Sequence, residues 1–140
     1  MRISFIVFTL FLTSKISFSQ KIIFELKEKR THYLNKDGSD AKFYDSTEFT
    51  NSTLIFDLKD SVVSIKNNDG IYTTKLTKIS KVKNQYFFQT IGQYAIDPSK
   101  NNNVDYMIDY KNRTGRQKYI SFCLNDMWHV TDFKGKVSFR

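Results

Sequence analysis

The sequence predicts an all-β protein: an antiparallel up-and-down meander of about eight strands, closed into a small barrel or folded into a sandwich. Three observations carry this. Apolar residues recur with period two along most of the chain, the runs are separated by short polar turns rich in Asn, Asp and Gly, and no window shows helical periodicity. Connections this short join antiparallel neighbours.

The first strand follows from Ile22, Phe24 and Leu26 alternating with Glu25, Lys27 and Lys29. Asn35-Lys36-Asp37-Gly38-Ser39-Asp40 stops it, with Asp37-Gly38 as the turn pair. The stretch that follows to about Thr50 lacks pattern and is read as a short strand or a covering loop. Leu54, Phe56 and Leu58 then alternate, and the β-branched run Val62-Val63-Ser64-Ile65 returns after a tight connection at Lys59-Asp60. Asn67-Asn68-Asp69-Gly70 is the strongest turn signal, because these residues tolerate the positive φ that hairpins require. Ile71 to Ile79 forms the next strand, and Gln85 to Ile91 one apolar enough to be partly covered on both sides.

Asp97 to Asn103 is the most polar loop and holds the single proline. Beyond it Val104, Tyr106, Ile108 and Tyr110 share a face against Asp105, Met107 and Asp109. Asn112-Arg113-Thr114-Gly115 signals another hairpin, and Ile120, Phe122 and Leu124 oppose Tyr119, Ser121 and Cys123. Asn125-Asp126 turns into Met127 to Phe133, and Gly135 is read as separating a last segment, Val137-Ser138-Phe139.

The amino terminus has a different character. Arg2 precedes an apolar run from Ile3 to Leu12, and Ser17-Phe18-Ser19 forms a small-x-small site. This is the order of a secretory signal peptide over residues 1 to 19, cut before Gln20. The run is about half the roughly 20 apolar residues of a spanning helix, so no transmembrane span is expected in the mature chain. No cysteine near the cut could take a lipid. Residues 20 to 140 then form one β domain, periplasmic or secreted, and the Lys-, Asn-, Ile- and Phe-rich composition suits a Gram-negative host with an AT-rich genome.

The whole chain has 22 basic and 14 acidic residues. Loss of Arg2 and Lys15 with the signal leaves 20 against 14, a net charge of +6. A basic exported domain meets anionic envelope polymers, and a nucleic-acid partner is not expected. Cys123 is the single cysteine, so no intramolecular disulfide forms and stability rests on core burial, supplied by 13 Phe and 8 Tyr.

Chemistry-bearing residues are sparse. Cys123 and His129 lie on successive strands and could approach across a hairpin, but parity groups His129 with Met127 and Thr131, toward solvent, and no third residue orients the pair. His32 stands alone. No metal-ligand spacing and no phosphate loop is present, so neither a metal nor a cofactor is expected. Glu25, Glu28, Asp105 and Asp109 are the carboxylates available for glycosidic chemistry. Asp105 and Asp109 lie about 13 Å apart along one strand, too far for either mechanism, and are read as solvating an outer face. Lys81, Lys83, Arg113, Arg116 and Lys118 interleave with aromatics, as the outer faces of basic strands do. Asn51-Ser52-Thr53, Asn112-Arg113-Thr114, Asp45-Ser46-Thr47 and Asp60-Ser61-Val62 match short glycosylation acceptors. No catalytic residue is assigned.

From Ser52 to Phe133, the order Ser-Thr-x-Ile-Phe-Asp-x-Lys, Val-Val-Ser-Ile and a late Ile-Ser-Phe-x-Leu-x-x-Met-Trp-His-Val resembles a set of short exported bacterial β-proteins of unknown function. The resemblance implies an exported β domain and transfers no site residue. The function expected is non-enzymatic binding of a small ligand or glycan, because a barrel of this size, lipocalin-like in outline, can enclose one small molecule. A protein-interaction or inhibitor-type module, with an envelope protein as partner, is the alternative. A hydrolase with an unrecognised site is the second alternative.

Overall fold

The computed structural model describes residues 21–92, 103–121 and 126–140. The signal segment, most of the Asp97–Asn103 loop and Cys123 lie outside the described residues.

Nine strands alternate with tight turns: β1 (Lys21–Leu34), β2 (Asp40–Phe49), β3 (Thr53–Asp57), β4 (Val62–Asn67), β5 (Gly70–Val82), β6 (Gln85–Ile91), β7 (Asn103–Asp109), β8 (Thr114–Ser121) and β9 (Met127–Phe139). Their order in the single sheet is β2-β1-β3-β4-β5-β6-β7-β8-β9, and β9 pairs back onto β1 from Ile22–Phe139 to Leu34–Trp128. Eight antiparallel strands thus close a barrel rather than a sandwich, which removes most sheet edges. The ninth, β2, stays outside. It lies beside the second half of β1, while β3 lies beside the first half.

β2 occupies the stretch without pattern, and its burial explains why. Nearly every residue of Asp40–Phe49 is exposed, so no face selects apolar residues and no alternation is written into the sequence.

Three register shifts interrupt the sheet, one of them between His32 and Leu34 of β1, which pair with Asp45 and Asp40 of β2. The register of β1 against β9 shifts between Leu26 and Glu28, and that of β5 against β6 between Leu76 and Lys78. An extra residue reverses the side-chain parity beyond it. Ile22, Phe24 and Leu26 point inward, but past the bulge Glu28, Arg30 and His32 point outward. Likewise Leu76 is inward and Lys78 outward.

The lumen is filled by rings. Phe56 stacks on Phe88 with centroids 4.2 Å apart and meets Tyr106 edge-on at 5.5 Å. Phe24 meets Phe133 edge-on at 4.9 Å. Ile22, Leu26, Leu54, Val63, Leu76 and Ile108 complete the buried cluster. Tyr106 keeps its hydroxyl satisfied as acceptor from Gln117 Nε2 at 2.8 Å, and burial raises its pKa. At one end Tyr86, Tyr110 and Phe139 cap the core, and Lys81 Nζ lies 5.1 Å from the Tyr86 ring. Lys81 is therefore not on the outer face expected from simple alternation, because the β5 bulge turns it inward. With apolar residues inside and charges outside, the wall is the inverse of a membrane barrel. Among the described residues no helix is long and apolar enough to cross a membrane.

Turn chemistry is local. Asp57 Oδ1 accepts from the N–H groups of Lys59 and Asp60, and Asp109 Oδ1 from that of Asn112. Both carboxyls are held below their ordinary pKa, chiefly by the N–H of Asp60 and of Asn112 respectively. Asp109 is buried in its turn rather than solvating an outer face. Ser61 and Arg113 close these two matched loops at φ 53° and 57°. The turn signalled at Asn112–Gly115 is thus Tyr110–Arg113, and Gly115 already belongs to β8. Gly115 is needed for space: a Cβ there would sit within the Phe133 ring. Gly135 does not end a strand either. It lies within β9, where a Cβ would collide with the Glu25 carbonyl beside the β1 bulge.

Gly115→Ala is expected to destabilise the fold by about 3 kcal/mol through overpacking, and Phe133→Leu added to it should recover part of that loss. Urea unfolding of the two variants reads this out, and an unchanged midpoint for Gly115→Ala contradicts the packing described.

Candidate functional site

Strand register sets side chains in rows across the outer wall. One row runs Lys78, Gln89, Asp105, Lys118 from β5 to β8. The next runs Ser80, Phe87, Met107, Arg116, Asp132, Arg30 from β5 round to β1. Residues that are scattered in the sequence meet only because adjacent strands pair.

Two adjoining pockets lie along these rows. One, of about 360 Å³, opens between Lys78, Phe87, Gln89, Asp105, Met107 and Lys118. The other, of about 390 Å³, opens over Arg30, Glu28, Asp132 and Lys134. Met107 and Arg116 line both, so the two form one groove. Their volumes fall in the range of small-molecule sites.

The polar groups of the groove are ordered by one another. Asp132 accepts from Arg116 Nε at 2.6 Å and Nη2 at 3.1 Å, and pairs with His32 Nε2 at 2.9 Å. Partial burial pushes the Asp132 carboxyl up, but the Arg116 and His32 hydrogen bonds outweigh it and hold the pKa below the ordinary value. Arg30 forms a bidentate pair with Asp45 of β2, its Nε 2.8 Å from Oδ1. Gln89 Nε2 donates to Asp105 Oδ1 at 2.8 Å. Lys118 stands opposite Asp105, yet its ammonium leans over the Trp128 ring, 4.0 Å from the centroid. Phe87 is 37% exposed beside these groups. Fixed planar donors and acceptors thus border an apolar platform.

His129 is placed elsewhere and contradicts its expected exposure to solvent. It points to the inner side of the barrel, stacked on Tyr119 at 4.6 Å and edge-on to Tyr33 at 5.0 Å, with Nδ1 buried and without a hydrogen-bond partner among the described residues. Parity with Met127 and Thr131 is as read, but that side is the inner one. Cys123 lies outside the described residues, so the Cys-His pair has no geometry here. Of the other carboxylates, Glu28 faces Lys134 across 3.6 Å, and Asp105 and Glu28 line different pockets. Among the described residues no three His, Cys, Asp or Glu are grouped to hold a metal ion.

The rows themselves were invisible in the sequence. Each member looks like an ordinary polar residue of an outer face, and only register joins them.

No family model, curated protein or solved structure matches the chain.

Burial, and then the charge of His32, depress the His129 pKa. Folded protein therefore binds this proton less readily than the unfolded chain. The resulting stability is present above about pH 6.5, the ordinary histidine value, and is lost as pH falls from there toward the depressed value. Urea midpoints measured from pH 7.5 to 5 should decline, and His129→Phe should remove part of that decline. A pH profile unaltered by His129→Phe contradicts this placement.

Proposed function

We propose that the chain is an exported, non-enzymatic binding domain that takes a glycan, or a similarly polar small ligand, in the groove on its outer wall. One observation carries this: the lumen is packed with aromatic rings, whereas the wall holds a two-pocket groove with ordered polar groups beside an apolar platform.

Sugars suit such a surface. Their hydroxyls pair with planar amide, carboxylate and guanidinium groups whose own orientation is already fixed, which reduces the ordering cost of binding. Their C–H faces pack on exposed side chains such as Phe87 and Met107. Lys78 and Lys118 end the first row, roughly 14 Å apart at about 4.8 Å per strand step, and neither forms an ion pair with a carboxylate among the described residues. Acidic sugars are therefore favoured over neutral ones. The signal-like amino terminus and the net +6 of the remaining chain support a place where anionic envelope glycans are met.

Calorimetric titration with a panel of envelope and capsular polysaccharides tests the reading. Binding should weaken about tenfold, near 1.4 kcal/mol, in Phe87→Ala and in Gln89→Ala, and should weaken with added salt. Tyr72→Ala, at an exposed site off the groove, should leave it unchanged. Binding that ignores both groove substitutions would refute the assignment.

A further inference from the structure

The meander places the β3–β4, β5–β6 and β7–β8 turns at one end of the barrel, beside the start of β1 and the end of β9. Lys59, Lys81, Lys83, Lys111 and Arg113 are exposed there, and among the described residues none of the five is paired with a carboxylate. The acids of this end are mostly engaged. Asp57 is bound by Lys21 at 3.1 Å and by the N–H groups of its own turn, and Asp109 is bound by Asn112, which leaves Asp60 exposed. The described part of the opposite end has the reverse balance, with Asp37, Asp40, Asp69 and Asp126 against Lys36 and Lys66.

The basic end is one connected surface. Tyr110 ties two of its turns together, its N–H donating to the Asn84 carbonyl at 3.2 Å and its hydroxyl to the Lys83 carbonyl at 3.3 Å, and the Lys21–Asp57 pair ties in the third. Phe139 packs edge-on against Tyr110 at 5.5 Å, and Lys81 Nζ lies 5.5 Å from the same ring. Apolar side chains stand in solvent among these cations: Val82 is 57% exposed, Phe139 42% and Ile79 41%. Cations without counter-charges and aliphatic or aromatic groups in water are both relieved at a layer that offers negative headgroups above hydrocarbon. An acidic polymer would satisfy the cations alone and leave Val82 and Phe139 wet.

We propose that the barrel stands with this end on an anionic phospholipid surface, its cations among the headgroup phosphates and Val82, Ile79 and Phe139 at the acyl boundary. The opposed charge of the two ends turns the basic one toward such a surface before contact. No spanning segment is needed. The contact does not depend on the binding reading, and the groove, on the wall between the two ends, stays open to a ligand of its own.

Co-sedimentation of the purified protein with phosphatidylglycerol–phosphatidylcholine vesicles, and with phosphatidylcholine vesicles alone, tests this, with circular dichroism to verify folding. Binding to the anionic vesicles only is expected, and it should weaken with added salt. Lys83→Asn combined with Lys111→Gln should weaken it about tenfold or more, Asn being chosen because it tolerates the φ of 51° at residue 83. Val82→Ser should weaken it several-fold. Lys36→Gln combined with Lys66→Gln, which takes the same charge from the other end, should leave it unchanged. Failure to bind the anionic vesicles overturns the proposal, as does equal binding to neutral ones or an equal loss in the two double variants. Binding indifferent to Val82→Ser also overturns it, in favour of attraction to any polyanion.

Discussion

The pairing of β1 with β9 along nearly their whole length is the constraint on which the rest depends. It converts an eight-stranded meander into a barrel, and it brings Ile22, Phe24 and Leu26 over a lumen whose other wall supplies Phe56, Phe88 and Tyr106. It also sets Arg30 opposite Asp132 and His32 opposite Val130, so the same ladder that closes the core assembles half of the outer groove. Closure and groove are two faces of one hydrogen-bonded seam.

The bulges reconcile those two faces. In a β1 of unbroken parity, Glu28, Arg30 and His32 would follow Leu26 into the lumen, and burying unpaired charge there costs far more than one irregular residue. One added residue sends them outward, where Arg30 finds Asp45 and His32 finds Asp132. β5 repeats the device, with Leu76 inside and Lys78 outside. The β1 bulge sits where that strand's neighbour on one side changes from β3 to β2, and the β5 bulge where pairing with β4 on one edge ends and pairing with β6 on the other begins. The barrel turns its corners at the positions that sort charge from core.

This explains which parts of the fold could be read from the sequence. Strands buried on one side announced themselves through period two, as with Ile22, Phe24, Leu26 and with Val104, Tyr106, Ile108. Turns built on Asp37-Gly38 and Asn67–Gly70 were legible because a local side chain or a positive φ makes them; Asn67 Oδ1, for example, accepts from the N–H groups of Asp69 and Gly70. β2 was not legible, since exposure on both faces leaves no pattern. The inward turn of Lys81 and the inner placement of His129 were missed because a bulge and a barrel's inside are properties of pairing. Gly115 and Gly135 read as punctuation, but each is a close approach between strands far apart in sequence. The groove is the extreme case: Phe87, Met107, Arg116 and Asp132 come from four strands and share no spacing.

On the proposed reading the barrel binds on its wall and not in its lumen. The most direct measurement is a two-dimensional NMR titration of the folded protein with an acidic envelope polysaccharide, following amide and methyl shifts. Shifts gathered on Lys78, Gln89, Asp105, Met107 and Arg116, with Phe56, Phe88 and Ile108 unmoved, are the predicted result. Shifts gathered on those three core residues, with the wall unmoved, would contradict it.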